Sequence, residues 1–399
     1  MSTLSVTTIN TANSTTDLTL KTGNTSGPEI VLAANGSTSI NNIDTLSVGN
    51  TTVNTAINST GITQNGLNFR VPKNYIVNPG MRISQENGTS SGTASSYYLA
   101  DQWRSSHSQD GTLTFQQVSS ATPGGSENRI RMTVTSADTS IAAGQYALIT
   151  QYIEGLRTAD LQWGTANATD VVLRFGFKGP AGTYAVALKN QDVNRTFIRE
   201  FTISGGDANT DTLQTLTFPG DTSGTWDKDN TSSFLLLFIF AVGSTYQTTA
   251  DAWQAGSYLG TSSTSNGIGT TSDVFEIFDV GLYADPDSTG VAPRFELPHY
   301  DIDLLECQRY YNQIRLHLNA YLNAFGQRLA QVQSIPEMRT TPSITRVTTG
   351  SSSNIRSGDS ATYVRSLALD NSSIIQDMEA NGAGFTQAFS FVDALSARM

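Results

Sequence analysis

Short apolar-rich runs with strand character and no helical period recur along most of this chain. Nine such runs lie between turn clusters rich in Gly and Asn: Thr112–Val118, Arg129–Val134, Tyr146–Ile153, Val171–Phe177, Thr183–Leu188, Thr196–Ile203, Leu213–Phe218, Phe234–Val242 and Val274–Tyr283. The eighth, FLLLFIFAV, is apolar without interruption. It is far short of the roughly 20 residues of a membrane-spanning helix and reads as a strand buried on both faces. Further on, Asp303 with Glu306 forms a capping box, and Leu304, Leu305, Gln308 and Tyr311 follow at helical spacing. Ala320–Val332 fits strand or helix, Tyr363–Leu369 reads as a strand, and Phe389–Leu395 fits a strand or a last helical turn.

The first 68 residues differ from the rest. No aromatic residue precedes Phe69, and Asp17, Lys21, Glu29 and Asp44 are the only charged side chains. Thr3-Leu4-Ser5-Val6 recurs as Thr45-Leu46-Ser47-Val48, and Thr7-Thr8-Ile9-Asn10-Thr11-Ala12 as Thr51-Thr52-Val53-Asn54-Thr55-Ala56. Leu, Val and Ile alternate with Thr, Ser and Asn, but one copy carries too little apolar bulk for a core. Either the segment stays disordered, or its strands pack against copies from other subunits, as intertwined β-structure about a three-fold axis would allow. The chain therefore reads as mainly β. Residues 1–68 form N-terminal intertwined β repeats, 69–298 a jelly-roll-like β-sandwich, and 299–399 a short helix with a small β-domain.

Composition narrows the function. Only 14% of residues are charged, and the balance of 23 basic against 34 acidic residues gives a net charge of −11. Without a Lys/Arg block, counterion-release binding to nucleic acid is not expected, nor is docking or insertion at an anionic membrane. The start, MSTLSVTTIN, lacks the basic-then-apolar order of a signal peptide. Cys307 is the single cysteine, so no intrachain disulfide or thiolate zinc cluster can form, and a small buried thiol is expected.

Catalytic and cofactor motifs are missing. His107, His299 and His317 have no partner at metal-ligand spacing, and neither a nucleophile elbow nor a phosphate-binding glycine loop occurs. Asp207, Asn209 and Asp211 begin like a calcium loop, but its sixth position is not Gly and Phe218 stands at the twelfth; solvated turns are the better reading. No cofactor is expected. Aromatic residues are the stronger lead, because sugar rings present an apolar face to aromatic planes. Tyr246, Trp253 and Tyr258 lie in loop-like sequence, with Asp251 and Gln254 as hydrogen-bonding neighbours; these five are the candidate glycan contacts. Asn266 and Asp273 offer further polar groups, whereas Trp103 and Trp226 read as core anchors.

The segment from Asp279 to Tyr311 resembles a junction of tailed-bacteriophage tail fibres and related virion appendages. There a DVxLE strand leads through PFExxxY into ELxxCQRYY. The matching residues are Asp279, Val280 and Leu282, then Pro293, Phe295, Glu296 and Tyr300, then Leu304, Cys307, Gln308, Arg309, Tyr310 and Tyr311. This chain departs from that pattern by inserting Arg294, by Asp303 in place of Glu, and by Ala284-Asp285-Pro286-Asp287 in place of an EG turn. Asn78-Pro79-Gly80-Met81, Ala100-Asp101-Gln102-Trp103, Tyr152-Ile153-Glu154-Gly155, Phe175-Gly176-Phe177-Lys178 and Ala181–Leu188 follow in the order of the same carbohydrate-binding-like sandwiches, and Pro336–Thr345 resembles their P-x-MRxxPxxT strand. The resemblance covers about residues 74 to 345. It implies a non-enzymatic structural virion protein, a homotrimeric tail fibre or appendage of the short-tailed type. The N-terminus would attach to tail, adaptor or portal-proximal proteins, and the sandwich would contact a host surface glycan or receptor. Such a protein is assembled in the host cytoplasm and resides in the virion tail. A capsid-bound head fibre or decoration protein and a polysaccharide depolymerase are the alternatives.

Overall fold

The structure is a computed structural model. It describes residues 46–49, 54–58, 61–64, 67–68 and 72–399, apart from 323–327, 349–362, 369, 371 and 380–384. The chain divides after Pro72 into two units. In the first, β1 (Leu46–Gly49), β2 (Asn54–Asn58), β3 (Gly61–Gln64) and β4 (Leu67–Asn68) pair in order as an antiparallel meander. Strands β1 and β2 fall on the second copy of the repeat; the first, Thr3–Ala12, lies outside the described residues.

The second unit contains a sandwich of two antiparallel sheets. Its strands are β5 (Tyr98–Ala100), β6 (Trp103–Ser108), β7 (Thr112–Ser119), β8 (Asn128–Ser136), β9 (Tyr146–Glu154), β10 (Val171–Lys178), β11 (Gly182–Asn190), β12 (Arg195–Ile203), β13 (Thr212–Phe218), β14 (Ser232–Val242), β15 (Gln254–Ala255) and β16 (Val274–Ala284). One sheet has the order β13-β10-β16-β8-β7, the other β15-β12-β11-β14-β9-β6-β5. All nine strands expected from the sequence are present. Three others, β5, β6 and β15, carry little apolar signal. Two of these are very short, and β6 (WRSSHS) buries Trp103 and stacks His107 on Phe115 at 5.1 Å with an otherwise polar sequence.

Strand β14 organises the seven-stranded sheet. Every one of its residues is buried. Phe234, Leu236, Phe238 and Phe240 face the other sheet, where Phe238 meets Trp103 and Phe175 at centroid distances of 6.1 and 5.0 Å. Leu235, Leu237 and Ile239 face the opposite way, into a separate apolar cluster with Leu148, Ala185, Ala187, Ile198 and Leu259. Each large apolar side chain so buried contributes about 1.5–3 kcal/mol, which gives the sheet reason to be covered on both sides.

The C-terminal region comprises α2 (Tyr300–Gln308), preceded in the sandwich by the one-turn α1 (Gly155–Thr158), and β17 (Tyr311–Leu322), β18 (Arg328–Ser334), β19 (Ser343–Thr348), β20 (Tyr363–Ala368), β21 (Ser373–Glu379) and β22 (Phe385–Ser396). They form two three-stranded sheets, β17-β22-β19 and β18-β21-β20; Phe389–Leu395 is strand, and so are the described parts of Ala320–Val332, whose residues 323–327 lie outside the described residues. The helix starts earlier than the capping box places it. His299 occupies the N-cap, while Asp303 lies inside the first turn, buried and paired with Arg82 at 3.3 Å. Cys307 is buried against Val77, Ile83 and Tyr310, as its position on the helix suggested.

One buried carboxylate fastens this region to the sandwich. Glu154, at the end of β9, accepts two bonds from the Arg309 guanidinium (2.8 and 2.5 Å) and one from the Tyr310 hydroxyl (2.8 Å). Arg339 donates to the Asn230 carbonyl on the sandwich side and to the Ala397 carbonyl at the C-terminus, both at 2.8 Å. Arg309→Met leaves Glu154 a buried charge without its cation and is expected to cost about 3 kcal/mol, read as a fall in Tm. The double variant Glu154→Met/Arg309→Met should recover most of that loss; a double variant as unstable as the single one would count against this reading of the pair.

Candidate functional site

The outer face of the seven-stranded sheet carries the candidate site. Alternation along each strand sets which residues reach it. On β9 these are Tyr146, Leu148, Thr150 and Tyr152; on β14, Leu235 and Leu237; on β6, Arg104 and Ser106; on β11, Lys189. A wall is supplied by the segment after β14. There Leu259 N–H donates to the Tyr246 carbonyl at 2.8 Å and Gln247 bridges to Gly260, so the segment lies as a strap bearing Tyr246, Ser257 and Leu259. Together they line an open cleft of about 260 Å³.

Its floor is apolar and its rim aromatic. Tyr146 and Tyr246 meet edge to face at 5.6 Å. Tyr152 lies under the Arg104 guanidinium, 4.6 Å from ring centre to carbon, and its hydroxyl accepts an Arg104 Nη2 hydrogen bond at 2.6 Å. Arg104 Nε has no hydrogen-bond partner.

Lys189 is the unusual member. Its side chain follows Ala185 and Ala187 on one face of β11, it is only 4% exposed, and its Nζ bonds Ser257 Oγ at 2.8 Å. Burial alone pushes its pKa down from 10.5 to about 8. Among the described residues no carboxylate pairs with Lys189 or Arg104, and none lines the cleft.

The five residues singled out in the sequence are distributed differently. Tyr246 lies on the cleft. Tyr258 packs against the outer apolar cluster beside it. Trp253 turns inward, with ring contacts to Phe197, Trp163 and Trp226 at 5.2, 5.3 and 5.7 Å and its Nε1 donating to the Pro219 carbonyl at 3.0 Å. Asp251 pairs with Arg199 at 2.6 Å, and Gln254 donates to Thr249 Oγ1 at 2.9 Å. Asn266 bonds the Asp138 carbonyl at 2.8 Å. Trp103 and Trp226 are buried in the core, and Trp226 stacks edge-on against Trp163 at 4.7 Å. Tyr146, Tyr152, Arg104 and Lys189 escaped the sequence reading because they lie in strands, not loops. The available signal was the period-two phase: Lys189 shares the Ala185/Ala187 side of its strand, and Tyr146 shares the Tyr152 side. Asp211, of the incomplete calcium loop, pairs with Arg129 at 2.8 Å. Among the described residues no acidic, His or Cys group could hold a metal ion.

No protein-family model matches this chain, and no curated protein matches it. Solved structures similar to it include the enzymatically active domain of bacteriophage CBA120 tailspike protein 4, at 12% identity and TM-score 0.31, over 53% of this chain and 21% of that one. TmCBM61, solved with β-1,4-galactotriose, matches at 13% identity and TM-score 0.27, over 53% of this chain and 99% of that one. The family 11 carbohydrate-binding module of a Clostridium thermocellum cellulosomal cellulase, Lic26A-Cel5E, matches at 13% and 0.26, over 50% and 96%.

An ammonium desolvated without a counter-charge costs stability. Lys189→Met is therefore expected to stabilise the protein by about 2 kcal/mol at pH 7, measured by denaturant unfolding. The pH dependence has a definite sign. The folded chain releases the Lys189 proton near pH 8 and the unfolded chain only near 10.5, so wild-type stability rises relative to Lys189→Met across that window. A difference that stays constant from pH 7 to 10 would contradict the assignment.

Proposed function

We propose that this chain is a non-enzymatic glycan-binding protein, a trimeric bacteriophage tail fibre or appendage. Its N-terminal unit serves attachment and trimerisation, and its sandwich presents the outer-face cleft to the host surface. The observation that carries the binding role is the cleft itself: an apolar floor of leucines bordered by Tyr146, Tyr152 and Tyr246, with a few convergent polar groups. That combination suits the apolar face and hydroxyl edge of a sugar ring. A volume of about 260 Å³ fits a short saccharide unit better than a long polymer groove. The lining also supports binding over cleavage at this place, because glycoside hydrolysis by the usual route needs two carboxylates flanking the bond. The virion role rests on the residues Asp279 to Tyr311 and Pro336 to Thr345 that resemble appendage proteins. Weak single-site affinity would be raised by several copies on one particle.

Two measurements test this. Tyr152→Ala and Tyr246→Ala should each weaken host-glycan or host-cell binding about tenfold with a smaller loss of stability than Trp253→Ala, which should destabilise the fold by about 3 kcal/mol without a specific loss of binding. Binding unaffected by both tyrosine substitutions would sink the cleft as the site. The solution mass of the full chain should be three times that of one chain; a single-chain mass would refute the trimer.

A further inference from the structure

The tyrosines explain an affinity for sugar in general. They do not explain Lys189 and Arg104. On a chain of net charge −11, the cleft lining holds two cations and no carboxylate. Elsewhere in the second unit several buried or half-buried arginines are matched by acids, Arg129 by Asp211 and Glu276, Arg195 by Asp221 and Arg309 by Glu154, while Arg174 instead donates to the Pro293 carbonyl at 3.0 Å. Among the described residues, only at the cleft is a nearly fully buried ammonium left with a single neutral hydrogen bond, to Ser257, two of its three donors finding no described partner. Arg104 has an unpartnered Nε and is held in place by Tyr152.

The register places the two cations around one point. Lys189 pairs with Leu235 on β14, and Leu235 pairs with Tyr152 on β9. Lys189 and Tyr152 thus stand on one row two strands apart, about 10 Å at the usual strand spacing. Arg104 covers the Tyr152 ring. A group bound over Leu235 would have the ammonium on one side and the guanidinium–tyrosine pair on the other.

We propose that the cleft takes a glycan bearing an anionic substituent, a hexuronate carboxylate or a sulfate ester, seated over Leu235 between Lys189 and Arg104. This rests on the glycan-binding role proposed for the cleft and narrows it to acidic saccharides. The bound oxyanion supplies the counter-charge that the folded chain leaves out. The desolvated ammonium, which weakens the free protein, then strengthens the complex, because charge-assisted bonds in a water-poor site are the strong ones.

The test is titration calorimetry of the full chain with two matched pairs: an oligogalacturonate against its carboxyl-reduced form, and a sulfated galactan oligosaccharide against its desulfated form. At least one acidic member should bind about tenfold or more tightly than its neutral counterpart, and added salt should weaken that preference. The pair that shows the preference identifies carboxylate or sulfate as the anion. In Lys189→Met, and separately in Arg104→Met, the acidic-to-neutral ratio should fall toward one. Lys189→Met is expected to be more stable than wild type, so loss of preference in it cannot be laid to misfolding. Equal or tighter binding of the neutral members overturns the anionic assignment while leaving the glycan reading standing. A preference unchanged in both variants overturns the seat between the two cations. Binding of none of the four, nor of any neutral or acidic sugar on a broad glycan array, overturns both readings.

Discussion

Strand β14 is apolar on both faces, and the rest of the sandwich is arranged around covering it. Its phenylalanine side meets the five-stranded sheet through a dense aromatic core. Its Leu235/Leu237/Ile239 side meets, among the described residues, a separate small apolar cluster and not the second sheet. Leaving a stripe of that size in water would forfeit several kcal/mol. The chain covers it with the very next segment, the strap carrying Tyr246, Tyr258 and Leu259, and with the tyrosines of neighbouring β9. Half-buried tyrosines suit this task, because they cover apolar surface while their hydroxyls stay in contact with water or polar partners. An incomplete cover over an apolar floor is a cleft, so the same constraint that stabilises the sheet also creates a place for a ligand.

The polar groups of the sandwich fall into two kinds. Glu154, with Arg309 and Tyr310, and Glu276, with Arg129 and Arg131, are buried charges whose bonding capacity is largely used. They join segments far apart in sequence and fix how those segments meet. Asp279 is similar, taking bonds from Thr122 and the Gly124 amide at 2.7 Å each and so tying the β7–β8 turn to β16. Lys189 and Arg104 are of the other kind: charges brought to an apolar surface without being matched. Lys189 is the nearly fully buried ammonium without an acid partner among the described residues, and that is the ground on which an external anion is proposed there.

The sandwich strands were legible because a period of two in side-chain polarity results directly from one-sided burial in a pleated strand. The nine runs from Thr112 to Tyr283 all appear within a residue or two of their expected ends. The uninterrupted run at Phe234–Val242 announced its two-sided burial for the same reason. Strand β6 was not legible, since Arg104, Ser105, Ser106 and His107 carry no apolar alternation; Trp103 is its one buried apolar residue, beside buried Ser105, and the strand is held by its pairing with β9. The helix start was misplaced because Asp303 has the chemistry of a cap, yet Arg82, more than 200 residues earlier, draws it inward.

The site divides along a similar line. Composition and alternation by themselves determined a mainly β chain of low charge, with a strand needing cover on both sides and loop aromatics after it. Which aromatics line the cleft was decided only in three dimensions. Trp253 and Tyr246 sit seven residues apart in similar surroundings, but the first joins Trp163, Trp226 and Phe197 while the second lies over the leucines of β14. Local sequence sets which side of its own strand a residue occupies. Only the packing of the two sheets decides which of those sides becomes the interior and which remains open. Lys189 could be assigned to the Ala185/Ala187 side of β11 from the alternation, but that this side is the open one depends on the way the sheets stack.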